Sequence, residues 1–231
     1  NRLPFTITVI HHPVFFDYTG IDNARSIFEP SAFENTPRVF FIGWWLRRFD
    51  TFLHLNAAQK IILLKEPEGP GTTDHVIYEL RSAITPRSPP TSRHLQPPLS
   101  SYELNKLANV YNIRLHSFIS SLDEYDDILK SSVIFIDVYD ASANNVILEC
   151  IYFCTPVLAC RHPAIIEYLG DDYPFYFSTL REANIKIASR NLIYQTHSYL
   201  SEMDKTHLHI NYFVDTLKNI QLEDKRDLKK K

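Results

Sequence analysis

Glycine is scarce in this chain, with five residues among 231. Nucleotide-binding α/β proteins usually spend glycine on tight phosphate turns, because it tolerates left-handed backbone and lets a ligand come close. Neither GxGxxG nor GxxxxGK(S/T) occurs, so a dinucleotide fingerprint and a P-loop are unsupported. No apolar run approaches the roughly 20 residues that a membrane helix needs. No signal-peptide pattern opens the chain. A net charge of −3 asks for neither nucleic acid nor an anionic membrane as partner. Cysteine is sparse too. Cys150, Cys154 and Cys160 sit in or beside one apolar stretch, and although Cys150 and Cys154 have i,i+4 spacing, no zinc pattern surrounds them. They read as buried, reduced thiols, which points to an intracellular, cytoplasmic location.

What the chain does have is apolar material: 45% hydrophobic and 13% aromatic residues, enough for a sizeable core. Its most ordered stretch is 133–177. Residues 133–138 read as a buried strand, and the polar turn Tyr139-Asp140-Ala141-Ser142-Ala143-Asn144-Asn145 follows. A helical pattern then runs through Val146, Leu148, Glu149, Ile151 and Tyr152 until Thr155-Pro156 stops it, and 157–160 reads as the next strand. Strand, turn, helix and strand make one βαβ unit, hence a parallel sheet.

Further strands are predicted at 5–10, 38–42, 60–64, 114–119 and 175–177. Helices are predicted at 102–111, 121–129 (Ser121 as N-cap, Glu124 completing a capping box), 164–169 closed by Gly170, 179–189, 191–202 and 208–220. A short helix is expected near 76–84. Residues 85–101 hold five of the 14 prolines and read as a surface insertion. His11-His12-Pro13 reads as a strand end; adjacent histidines on a strand face opposite ways and make a poor metal pair. The alternation predicts an α/β fold, a doubly wound parallel sheet. Three parts are expected: 1–37 as the end of a preceding domain, a crossover or a linker; 38–222 as the α/β domain; and 223–231 as a charged, solvated tail.

The chemistry concentrates at the turn after 133–138. A helix N-terminus presents free N–H groups and the positive end of its dipole. Ser142, Ala143, Asn144 and Asn145 stand there, an anion site without glycine that suits a diphosphate. Asn145 or Ser142 is available to cap the helix. Glu149 lies one turn further on, where a carboxylate can accept from ribose hydroxyls; a solvated or ion-paired helix residue is the plain alternative. Asp140 reads equally as a ligand or as a turn-forming residue. Gly43 followed by Arg47 and Arg48 after the 38–42 strand offers a second phosphate contact, or else two solvated arginines.

Three segments bring these residues close to a known family. They are Asn145-Val146-Ile147-Leu148-Glu149-Cys150, Thr155-Pro156-Val157-Leu158 and Ile166-Glu167-Tyr168-Leu169, joined by Ile42-Gly43-Trp44-Trp45-Leu46-Arg47-Arg48. Together they resemble the carboxyl-terminal, donor-binding domain of GT-B glycosyltransferases. The resemblance implies a Rossmann-like half of a GT-B fold and hexosyl transfer from a nucleoside-diphosphate sugar to a glycan, lipid or protein acceptor. It implies no metal and no cofactor, the nucleotide sugar being substrate. Glu149 matches the second Glu of the Glu-x7-Glu motif, the ribose ligand of retaining members, while the first Glu falls on Ala141 with Asp140 beside it. Ser142, Asn144 and Asn145 match the phosphate-facing helix start. Arg47 or Arg48, with Gly43, would face the diphosphate, and Ser117, Leu122 and Tyr125 lie where the nucleobase packs. An amino-terminal acceptor domain, or a partner chain in its place, is expected outside this sequence. The competing reading is a catalytically inactive relative serving as a structural or interaction subunit. A sugar-phosphate isomerase or epimerase would need a matched acid–base pair, and none is found.

Overall fold

In the computed structural model, residues 37–43, 46–63, 106, 108–116, 119, 121–140 and 144–228 are described, with side chains up to 219. The expected strand at 5–10, His11-His12-Pro13, the helix at 76–84 and the proline-rich segment lie outside them, as do Ser117 and Ser142. The chain divides into two compact units, Ser26–Ser201 belonging to one and Glu202–Lys231 to the other.

The first unit is a six-stranded sheet. Its strands are β1 (Arg38–Phe41), β2 (Gln59–Leu63), β3 (Ile113–His116), β4 (Val133–Ile136), β5 (Val157–Cys160) and β6 (Tyr176–Phe177). Every pairing is parallel and the spatial order is β3-β2-β1-β4-β5-β6. Its helices are α1 (Phe49–Leu53), α2 (Leu122–Lys130), α3 (Asn145–Phe153), α4 (Pro163–Leu169), α5 (Leu180–Ile187) and α6 (Arg190–Glu202). Helix α1 is not expected from the sequence, because five residues are too few for an apolar period to declare itself. In the second unit, α7 (Ile210–Leu228) follows a 3-10 turn and runs past the expected end near 220, through most of the charged tail.

The four residues of β4, Val-Ile-Phe-Ile, are wholly buried, as an apolar run buried on both faces must be. Its register with both neighbours is set by pairs such as Phe40 with Ile134 and Phe135 with Leu158. Rings fill the space around the sheet: Phe52 packs on Phe41 and Phe135, and Phe135 stacks on Phe177. Helix α3 buries Ile147, Leu148, Cys150, Ile151 and Phe153. It ends at Cys154, which takes a left-handed conformation (φ 53°). The next residue, Thr155, then bonds the Leu129 carbonyl at 2.8 Å and ties the end of α2 to the start of β5.

Two expected details differ. Ser121 is the N-cap of α2, but its side chain makes no cap bond; Glu124 instead approaches His116 at 3.9 Å. The cap of α3 is Asn144, one residue before Asn145, and its side chain does not cap either, being engaged elsewhere.

Strand β6 is short and pairs only with Ala159 and Cys160, so it leaves Val157 without a strand partner on that side. The buried Tyr173 hydroxyl fills the gap. It donates to the Val157 carbonyl at 2.8 Å and accepts from its N–H at 2.9 Å. Substituting Tyr173→Phe leaves two buried backbone groups unpaired. The expected loss is about 2 kcal/mol, read by urea unfolding; a loss within error would show that Val157 finds other partners.

Lys60 is buried on β2, where its ammonium donates to the Leu53 carbonyl at the end of α1, 2.6 Å away. Burial lowers its pKa to about 8. The unfolded chain therefore holds this proton over a range, from about 8 to 10.5, in which the folded chain has released it, and stability rises with pH there. Relative to Lys60→Met, the wild type should gain about 1–2 kcal/mol between pH 7.5 and 9.5. Comparing the two proteins cancels the tyrosines and cysteines that titrate in the same range. A parallel pH response of the two would show that Lys60 does not carry it.

Candidate functional site

Strand order reverses between β1 and β4: from β1 the chain moves to β2 and β3 on one side, then returns to β4 on the other. The loops leaving two such neighbours diverge, and the crevice between their carboxyl ends is where open α/β sheets take ligands. In this chain the two loops are the Gly43 segment after β1 and the turn from β4 into α3.

Gly43 has φ +77°, a left-handed conformation that disfavours any side chain, and it turns the chain back beside the continuation of β4. There Arg47 and Val138 form an isolated antiparallel bridge. The Arg48 N–H donates to the Asp137 carbonyl at 2.8 Å, and the Tyr139 N–H donates to the Leu46 carbonyl at 3.0 Å. These bonds send Arg47 and Arg48 to opposite fates. The Arg48 side chain is exposed and lies over the Tyr139 ring, 4.9 Å from its centroid. That of Arg47 is 9% exposed and reaches the start of α3, where Nη2 donates to Oδ1 of Asn144 at 3.0 Å.

The second terminal nitrogen of Arg47, Nη1, is buried and makes no hydrogen bond among the described residues. Among the described residues no carboxylate forms an ion pair with this guanidinium. Burial lowers its pKa to about 10, so it remains a cation at neutral pH. A buried, half-satisfied positive charge is costly unless something negative joins it. It stands beside Gly43 and at the N-terminus of a nine-residue helix, whose first N–H groups have no acceptor inside the helix. Arginine, helix amides and a residue without a side chain are the kinds of group with which proteins hold anions.

Glu149 lies on the second turn of α3 and is half-buried. Its Oε2 accepts from the Tyr125 hydroxyl of α2 at 2.6 Å. Burial raises the Glu149 pKa, the tyrosine bond partly offsets this, and the charge of Asp126 adds to the rise. Tyr125 is held protonated far above its ordinary range, first by burial and then by the Glu149 charge.

Of the residues singled out from the sequence, Gly43, Arg47 and Asn144 meet at one place, and Tyr125 meets Glu149. Asn145 is exposed at the first position of α3, and Asp140 is exposed on the turn. Leu122 opens α2 at 82% exposure. Two participants are not foreseen from the sequence. Asp137 is buried just after β4, near Cys160, whose Sγ accepts from the Val138 N–H at 3.4 Å and whose thiol burial raises to about 11. The bond from Tyr125 to Glu149 is the other. An acid inside the otherwise apolar run 133–138 is a readable signal for Asp137, whereas nothing local links residues 24 positions apart.

No family model matches this sequence, and no curated protein matches it. Solved structures do. A glycosyltransferase from Rickettsia africae ESF-5 is 13% identical with a TM-score of 0.60, covering 94% of this chain and 56% of its own. HepE from Anabaena, in complex with UDP, is 11% identical with a TM-score of 0.61, covering 94% and 57%. Sucrose-phosphate synthase from Thermosynechococcus elongatus is 11% identical with a TM-score of 0.56, covering 92% and 49%. The chain thus spans about half the length of the structures it is similar to. Among the described residues, no helix is long and apolar enough to cross a membrane. The architecture is a parallel, Rossmann-like sheet with flanking helices, and its fold is that of a GT-B-like glycosyltransferase domain.

Proposed function

We propose that this chain is the donor-binding part of a glycosyltransferase that moves a hexosyl group from a nucleoside-diphosphate sugar to an acceptor. The observation that carries the reading is Arg47: a buried cation with one nitrogen unbonded among the described residues, at a helix N-terminus and at the point where the strand order reverses. In sugar transfer the bond between the anomeric carbon and the β-phosphate oxygen breaks, and its electron pair leaves with the diphosphate. The acceptor hydroxyl forms the new bond to the anomeric carbon, and its proton passes to the departing phosphate oxygen. Negative charge grows on the leaving diphosphate, and fixed donors aimed at that charge lower the barrier. Arg47 and the first amides of α3 are the donors this chain provides. Glu149, one turn along the same helix, takes the ribose. Its match to the ribose ligand of retaining members is the ground for assigning transfer with retention.

A non-catalytic subunit is the competing reading, and Ala141 favours it, because the motif carries a carboxylate there. Hydrolysis or transfer from a donor that binds separates the two.

UDP, GDP and the other nucleoside diphosphates are titrated at millimolar concentration while thermal unfolding is followed. At 100 times Kd a ligand adds about 2.7 kcal/mol, which raises the midpoint by several degrees for a domain of this size. HepE, similar in fold, was solved with UDP, so uridine is tried first. No shift with any of them would overturn the proposal.

Arg47→Gln should weaken binding of the effective diphosphate at least about tenfold, the worth of a charge-assisted bond. It should leave the unliganded protein as stable as before or more so, since it removes an uncompensated buried charge. Arg48→Gln should bind nearly as the wild type does. Full binding by Arg47→Gln would remove this guanidinium from the site.

A further inference from the structure

Glu149 is held more tightly than its place on a helix surface requires. A glutamate there ordinarily turns freely in water, and fixing it costs side-chain entropy. In this chain one oxygen is bonded across to a neighbouring helix, to a phenol 24 residues earlier, at 2.6 Å. Oε1 makes no hydrogen bond among the described residues.

We infer that Tyr125 is a positioning residue: its hydroxyl anchors Oε2 of Glu149 across α2 and α3 and leaves Oε1 aimed to accept a ribose hydroxyl. This rests on the reading of Glu149 as the ribose ligand. This task belongs to the Tyr125 hydroxyl and stands beside the expectation that its ring packs against the nucleobase. The anchor does two things. It removes rotamers that would otherwise have to be frozen when the ligand arrives. It also keeps the carboxylate ionised in a half-buried place, since a donor to the charged form opposes the effect of burial. The groups around the pair act in known directions. Asp126, next to Tyr125 on α2, opposes ionisation of Glu149, and Cys150 on α3 is a fully buried thiol held neutral. The Arg47 guanidinium interacts electrostatically with Cys160, Cys150 and Tyr125. Tyr125 therefore works against burial and against Asp126.

The test compares wild type, Tyr125→Phe and Glu149→Gln by calorimetric titration from pH 5 to 8. Two ligands are used: the nucleoside diphosphate that binds the wild type, and inorganic pyrophosphate, which has no ribose. Tyr125→Phe should bind the nucleotide about tenfold more weakly at pH 6, the worth of one hydrogen bond to a charged group. The acid limb of its binding curve should move to higher pH, because the bond that lowers the Glu149 pKa is gone. Pyrophosphate binding should be the same in all three proteins. A carboxyl titration of Glu149 followed by carbon NMR without ligand should show its midpoint higher in Tyr125→Phe.

Each contrary result has its own meaning. If Glu149→Gln weakens the nucleotide but Tyr125→Phe moves neither affinity nor acid limb, the positioning role is overturned and the ribose assignment stands. If Glu149→Gln has no effect, the ribose assignment fails and the inference falls with it. If Tyr125→Phe loses pyrophosphate as well, Tyr125 holds the fold and not the carboxylate, and the inference is overturned. A wild type that binds neither ligand overturns the donor reading itself.

Discussion

Strand β4 is buried on both faces and paired on both edges, and the rest of the domain is arranged by that constraint. Four apolar residues with no exposed surface need β1 and β5 beside them and side chains above and below. Once β1 lies at one edge and β5 at the other, the strands before β4 and those after it fall on opposite sides. The segments leaving β1 and β4 then lie side by side at the carboxyl end of the sheet, at the point where the strand order reverses. The site is a consequence of packing one strand fully, not a separate construction.

The same geometry accounts for Arg47. The bridge to Val138 and the two flanking backbone bonds tie the chain after β1 to the chain after β4. This tie puts two adjacent arginines in different solvents. Arg48 keeps water and a ring face, while Arg47 loses water and recovers one bond, to Asn144. Folding accepts a half-satisfied cation because hydrophobic burial around β4 outweighs its cost. Such local conflict between stability and satisfaction is characteristic of places that await a ligand. Scarcity of glycine fits this design. One glycine, Gly43, makes the turn, and Arg47 stands against it beside the start of α3.

The parallel sheet is legible in the sequence because β-branched and aromatic runs of four to six residues, separated by helical periods, are local signals. Strands expected at 38–42, 60–64, 133–138 and 157–160 appear within two residues of those bounds. Helix α1 is not legible, since five residues after two tryptophans carry no period. Caps are less secure than elements. The Ser121 side chain occupies the cap position without a cap bond, and Asn144, the cap residue of α3 in place of Asn145, makes none because its side chain is recruited by an arginine 97 residues away.

Local chemistry by itself determined that the chain folds as a parallel α/β domain, that its chemistry gathers after 133–138, and that Arg47, Arg48 and Glu149 belong among the candidates. It left the two arginines equivalent, since both follow the same strand and carry the same charge. Tertiary structure decided between them, because burial and bond partners are set by whichever segment lies alongside, here the continuation of β4. It also decided what Tyr125 does. A phenol on one helix and a carboxylate on the next have no relation along the chain, and only the packing of α2 against α3 brings them to 2.6 Å.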